Sequence, residues 1–382
     1  MKTSNLLDLD AVLEKALWEE PLSHEEILCL LTPENEAEQG HLFEVARRLR
    51  HRYFGNKVFL YGFVYFSTFC RNHCTFCYYR RSNTLCHRYR KTDEQVLHTA
   101  IHLARSGVHL LDLTMGEDPH FFDEAHGFDP LLRLVKMVKR ETGLPLMVSW
   151  GVFPDDLLKK LAKAGADWLA CYQETHNLQL FKRLRIGQDY HRRLEVKEKA
   201  LRNGMLIEEG ILSGVGEGSE DVVNSIETMR GMGAHQVRVM NFVPQPGTPM
   251  EQLAPPSPER ERVLIAVMRL IMPRRLIPAS LDVDGIDGLR GKLLAGANVV
   301  TSLIPPSSEW MGVAQSTLGI MEGRRTAGAV KPILGSLGLQ VAGLGDYLAW
   351  VNQEKSDLLV LVSMAKGISV EHCHRWREAA RG

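Results

Sequence analysis

From residue 57 onward, short apolar runs alternate with longer stretches whose apolar positions recur three and four apart. The runs cover 58–66, 109–114, 145–150, 167–172, 205–212, 236–242, 277–283 and 298–304. Most lack polar alternation, the pattern of strands covered on both faces. The intervening stretches read as amphipathic helices. Thr92-x-x-Gln95 forms a capping box for one of them, and Asp155-Asp156 opens another with acidic residues at its N-terminus. Eight strand–helix units in roughly 250 residues match an α/β fold of the (β/α)8 TIM-type barrel. A doubly wound open sheet is the alternative, but no G-x-G-x-x-G follows the first run.

Ahead of the barrel, residues 1–55 read as a helical extension. Ser23 and Glu26 make a capping box before Ile27, Leu28, Leu30 and Leu31. Thr32-Pro33 predicts the start of the next helix, with Pro at its first position. Leu42, Phe43, Val45, Ala46 and Leu49 form its apolar stripe, and Gly55 is its expected end. The barrel is expected over 56–306. Residues 307–382 read as a C-terminal helical appendage packing on the barrel, with helical stretches at 347–352, 357–365 and 370–380.

Composition narrows the class. Lys+Arg and Asp+Glu both total 46, so there is no basic excess to suggest nucleic acid or a membrane surface as partner. No run of about 18 apolar residues occurs. The N-terminus, with Asp8, Asp10, Glu14, Glu19 and Glu20, does not resemble a secretory signal. Seven cysteines, an odd number, fit a reducing, cytoplasmic setting. Cys29, Cys86, Cys171 and Cys373 are scattered and read as unreactive thiols.

The other three cysteines carry chemistry. Cys70, Cys74 and Cys77 follow the first run with C-x3-C-x2-C spacing. Three thiolates on one loop can hold three irons of a [4Fe–4S] cube and leave the fourth without a protein ligand. A Cys3His zinc site using His73 or His87 is the competing reading. It gives no role to Phe76 directly before the last Cys, and no second ligand pair is present. His73 is expected to face solvent.

Polar residues cluster where a barrel places its active site, at the C-terminal strand ends. Gly116-Glu117-Asp118 follows the second run, Ser149 closes the third, Glu174 follows the fourth and Gly214 the fifth. Arg238 lies on the sixth. Ser280 and Asp282 lie on one face of the seventh.

The loop Cys70-Arg-Asn-His-Cys74-Thr-Phe76-Cys77 resembles that of the radical S-adenosylmethionine (SAM) superfamily. Met115-Gly116-Glu117 is similar to its glycine-glycine-glutamate loop, with Met in the first place. Gly210-Ile-Leu-Ser-Gly214-Val-Gly-Glu217 is similar to its G-x-I-x-G-x-x-E segment. The stretch from Glu174 to Arg193 resembles the biotin synthase and hydrogenase-maturase branch. Longer runs, among them 112–119, 172–175, 237–240, 275–282 and 296–302, resemble the 3-methylornithine synthases of pyrrolysine biosynthesis.

The resemblance implies a [4Fe–4S] cluster on the three cysteines. It implies SAM contacts from Phe76, Met115, Gly116, Glu117, Ser149, Glu174, Arg193 and Gly214, with Glu117 acting through its backbone. It also implies an external electron donor of flavodoxin or ferredoxin type. The implied reaction is the isomerisation of L-lysine to (2R,3R)-3-methylornithine by a 5′-deoxyadenosyl radical. The implied amino-acid-binding residues are Asp112, Arg238, Ser280 and Asp282.

That set also suits lysine on physical grounds. One arginine matches the carboxylate, and two aspartates match the two ammonium groups, in either order. A biotin-synthase-like sulfur inserter would need a second cluster inside the barrel, and the expected strands lack the cysteines for it. A hydrogenase maturase shares the Glu174–Arg193 pattern, but the acidic pair facing Arg238 favours an amino acid.

Overall fold

The computed structural model describes residues 7–124, 127–305 and 324–367. Eight strands form the expected barrel: β1 (Lys57–Ser67), β2 (Leu110–Met115), β3 (Leu146–Ser149), β4 (Ala166–Ala170), β5 (Leu206–Ser213), β6 (Gln236–Asn241), β7 (Pro278–Ser280) and β8 (Val299–Leu303). They are parallel, in the order β6-β5-β4-β3-β2-β1-β8-β7. Closure between β6 and β7 is made low down, where Val237 N–H donates to Leu276 O (3.0 Å) and Leu276 N–H donates to His235 O (3.1 Å). Among the described residues no named ladder continues above this bridge.

The reason β1 reads as an unbroken apolar run is that both its faces are buried. Gly62 faces outward, where a Cβ would press on Leu103 at 3.1 Å. The opposite face climbs the barrel interior: Tyr61 meets Tyr347 near the bottom, Phe63 meets Arg238 halfway, and Tyr65 meets Asp282 near the top.

The helices before the barrel are α1 (Leu9–Leu17), α2 (His24–Leu30) and α3 (Glu36–Phe54). The Ser23–Glu26 capping box is present. The Thr32-Pro33 start is not: α3 begins at Glu36, capped by Asn35, whose Oδ1 accepts from Ala37 and Glu38 N–H. One side chain meeting two unpaired donors outcompetes a favourable proline position. Between the strands lie α4 (Asp93–Ser106), α5 (Pro119–Phe122), α6 (Asp129–Thr142), α7 (Asp155–Ala164), α8 (Leu178–Leu184), α9 (Tyr190–Arg202), α10 (Ser219–Gly231), α11 (Pro258–Ile271) and α12 (Leu289–Leu294). The Thr92–Gln95 box caps α4.

After the barrel come α13 (Ala327–Ser336), a two-residue strand β9 (Gln340–Val341) pairing with β1, and α14 (Leu344–Gly367). The two helical stretches expected at 347–352 and 357–365 belong to one helix. The stretch expected at 370–380, and Cys373, lie outside the described residues. α14 seals the bottom of the barrel. Its Trp350 stacks on Trp168 at 5.9 Å, Glu354 pairs with Arg275, and Lys355 pairs with Asp167. Among the described residues, no helix seals the opposite end in this way. No helix among the described residues is long and apolar enough to cross a membrane.

Candidate active site at the top of the barrel

The loop after β1 carries Cys70, Cys74 and Cys77, and β2 ends against it. Gly116 permits that approach: a Cβ there would stand 2.4 Å from Phe69 O and 2.8 Å from Cys70 Cβ. Glu117 is expected to act through its backbone, but its side chain is also engaged. Its carbonyl accepts from Arg71 N–H (2.9 Å), one carboxylate oxygen accepts from Arg71 Nε (3.0 Å), and the other accepts from Val152 N–H (3.0 Å). The side chain therefore ties the cysteine loop to the chain just after β3. Asp118, fully buried, is gripped by the Arg90 fork and by Ser67, fixing the loop's other edge.

The donor set suits an iron–sulfur cube. Burial pushes the Cys70 thiol up to about 12 and Cys77 well above its usual value, and the neighbouring Cys74 raises both further. Three thiolates on one loop need a cationic centre between them. In a cube each thiolate meets its own iron, which three cysteines spread along one loop can do.

Beside the loop, Phe76 packs on an apolar cluster of Leu180, Leu184, Leu212, Val215, Phe242 and Met250. The Arg185 guanidinium lies 5.4 Å from its ring. Such a face is fitted to a flat heterocycle. Gly214 (φ +88°) turns the chain where a Cβ would strike Pro256 at 2.6 Å. Glu217 folds back to accept from Gly214 and Val215 N–H and is paired with Arg260. Met115 is buried behind the loop.

Glu174 and Arg193 are both buried in the same region but do not pair. Glu174 instead binds Arg185 (2.7 Å), a residue whose role sequence reasoning missed. Arg193 donates to Tyr172 O (2.7 Å) and to Gln188 Oε1 (3.3 Å). Burial raises the Glu174 carboxyl against the pull of both arginines. Glu174 also holds φ +70°, left-handed backbone that a non-glycine residue adopts at a cost. Its backbone is pinned on both sides by β5, from Glu174 N–H to Gly210 O and from Leu212 N–H to Glu174 O.

Below this lies a buried cluster of charged side chains. Arg238, on β6, is 2% exposed; its Nε binds Glu208 at 2.6 Å, and its guanidinium sits between the rings of Phe63 and Tyr172. Asp112, on β2, accepts from Ser149 Oγ at 2.7 Å. Ser149, expected at the cofactor, thus touches a residue expected at the substrate. Asp282 accepts from Arg325 (2.6 Å), Ser302 (2.5 Å) and Tyr65 (3.1 Å). Ser280 lies 3.5 Å from Ser302, which is itself at φ +66°.

Two of these charges were missed in the sequence. Glu208 shared an apolar run with Glu209, and adjacent acids in a buried strand were the available signal. They point to opposite faces, Glu208 to Arg238 and Glu209 to Lys197 on α9. Arg325 offered no signal, since it lies in a polar stretch beyond the barrel.

The chain was compared with known proteins. Residues 64–244 match the model of the radical SAM superfamily. The 3-methylornithine synthase of Methanosarcina acetivorans is 43% identical over 340 residues, 89% of this chain and 96% of that protein. The [FeFe] hydrogenase maturase subunit HydE of Thermotoga maritima is 29% identical over 70% of this chain and 76% of its own length. The crystal structure of methylornithine synthase (PylB) superposes with a TM-score of 0.84 at 40% identity, covering 89% of this chain and 99% of that one. The fold, the cysteine loop and near end-to-end similarity agree: the chain is a radical SAM enzyme, its cofactors are a [4Fe–4S] cluster and SAM, and it belongs to the 3-methylornithine synthase family.

Proposed function

We propose that this enzyme isomerises L-lysine to (2R,3R)-3-methylornithine, as the names of its relatives suggest. The observation carrying the reading is a set of buried atoms without hydrogen-bond partners: Asp112 Oδ2, Glu208 Oε2 and Arg238 Nη2. Buried polar atoms are rarely left unpaired, so such a set marks where a ligand supplies partners. It offers a carboxylate oxygen of Asp112, complementary to an ammonium group, and a guanidinium nitrogen of Arg238, complementary to a carboxylate, with Glu208 Oε2 as a further acceptor beside Arg238. Charge agrees. Arg238–Glu208 and Arg325–Asp282 are neutral pairs, leaving Asp112 to match lysine's single net positive charge.

In this reading Arg238 takes the carboxylate, with Ser280 as a neutral partner. Asp112 holds one ammonium. Asp282 has three donors for about four acceptor sites, which leaves room for the other. Cys70, Cys74 and Cys77 hold the cluster. Phe76, Met115, Gly116, Glu117, Glu174, Arg193 and Gly214 surround SAM, with Ser149 reaching between cofactor and substrate. SAM on the cluster supplies a 5′-deoxyadenosyl radical. The chain's part is to fix lysine at both ends and to keep water away from reactive fragments. The enzyme is read as cytoplasmic, drawing electrons from a donor of flavodoxin or ferredoxin type.

Lysine affinity tests the role of Asp112. Burial, with Glu208 nearby, raises its carboxyl to about 7, against the pull of Ser149 and Arg238. An ammonium needs the ionised form, so affinity is lost as pH falls through 7. Titration calorimetry on the SAM-loaded, oxidised enzyme should show lysine binding about tenfold weaker at pH 6 than at pH 8. Asp112→Asn should bind weakly at both. A flat wild-type profile would mean that Asp112 does not hold an ammonium.

A further inference from the structure

We propose that Gln188 sets the reduction potential of the cluster through a hydrogen bond to the Cys74 thiolate. This rests on the reading that the three cysteines carry the cluster. Gln188 Nε2 lies 3.0 Å from Cys74 Sγ. The orientation of the amide follows from its other end: Oε1 faces Arg193 Nη1 at 3.3 Å and Arg185 Nη1 at 3.5 Å. A guanidinium only donates, so the oxygen belongs on that side and the NH2 group on the sulfur side. Arg185 Nη1 adds a longer contact to the same sulfur, 3.6 Å.

The three ligands are not treated alike. Among the described residues, side-chain donors reach the sulfur of Cys74, whereas Cys70 takes backbone donors from Asn72 and Glu117, and Cys77 one from Tyr79. Cys74 is also buried, so water does not compete for its lone pairs. A tight turn presents Gln188. It leaves α8 at Arg185, passes Gly187 at φ +75°, and closes with Gln188 N–H on Arg185 O (3.0 Å).

The consequence is electrostatic. Reduction adds one electron to the cluster from an external one-electron donor, and no bond in the protein forms or breaks. The extra charge spreads onto the sulfurs, and a donor at sulfur stabilises the reduced form more than the oxidised one. Gln188 therefore makes the cluster easier to reduce. It is a positioning and tuning residue that acts through Cys74.

Redox titration of the reconstituted full chain, without SAM or lysine, followed by the EPR signal of the reduced cluster, tests this. Loss of one hydrogen bond to a charged group should lower the reduced-to-oxidised ratio about tenfold in Gln188→Leu, or about 59 mV for one electron. Gln188→Glu should titrate lower still, because a carboxylate replaces the donor beside the thiolate. The glutamate keeps the native shape and reports on the potential even where the leucine variant binds iron poorly. Titration of both variants together with wild type would overturn the proposal. Lysine does not enter the measurement, so failure of the proposed isomerisation would leave its outcome intact.

Discussion

Arg238→Leu is expected to lower kcat/KM for L-lysine by at least about 10²-fold. Two effects combine. The variant loses the guanidinium proposed to grip the carboxylate, and it strands Glu208, fully buried, without its cation. Leaving one member of a buried pair uncompensated costs about 3–5 kcal/mol. A single substitution would therefore confuse stability with binding. The double variant Arg238→Leu/Glu208→Leu separates them, because it removes both charges. Its melting temperature should return most of the way to wild type while lysine turnover stays depressed. If the double variant recovered both, Arg238 would serve the fold and not the substrate.

Arg325→Met should produce the second large effect. Asp282 would keep Ser302 and Tyr65 but lose its buried cation. The expected loss is again about 3–5 kcal/mol, read as a lowered melting temperature. Asp282→Asn in the same chain removes the stranded charge and should recover most of the loss, the signature of direct coupling between the two. Saturating lysine should stabilise the single variant more than wild type, since a substrate ammonium would stand in for the missing guanidinium. Equal stabilisation of both would argue that Asp282 contacts no part of lysine.

These two arginines also show where sequence reasoning succeeds and where it stops. All eight barrel runs were legible because burial on both faces leaves a continuous apolar signal. The seventh was overextended, with β7 ending at Ser280 where the run continued to residue 283. Beyond Ser280 the chain stays buried through Asp282 while turning out of the sheet, and apolar pattern does not distinguish a buried turn from a strand. Arg238 was legible as a charge inside such a run. Glu208 was equally visible but carried no motif, and its partner became clear only in the fold, where it reaches Arg238 diagonally across the β5–β6 ladder.

Arg325 and Gln188 mark a different limit. Arg325 reaches Asp282 across 43 residues of sequence. Nothing in a polar segment beyond the barrel says which of its cations will be buried. Gln188 is one uncharged side chain in a turn, and its meaning depends on a sulfur 114 residues away. Glu174 and Arg193 were both read as SAM contacts; in the fold Glu174 pairs with Arg185, while Arg193 donates to Tyr172 O. Local spacing reports which residue types gather; the pairing among them is settled by geometry.

Turnover of isotope-labelled L-lysine by the reconstituted enzyme, with SAM and a strong reductant, tests the central claim most directly. The predicted product has the same mass as the labelled lysine, separates from it by chromatography, and shows the methyl doublet of a branched chain by NMR. Lysine recovered unchanged, while the same enzyme cleaves SAM to 5′-deoxyadenosine and methionine, would contradict it.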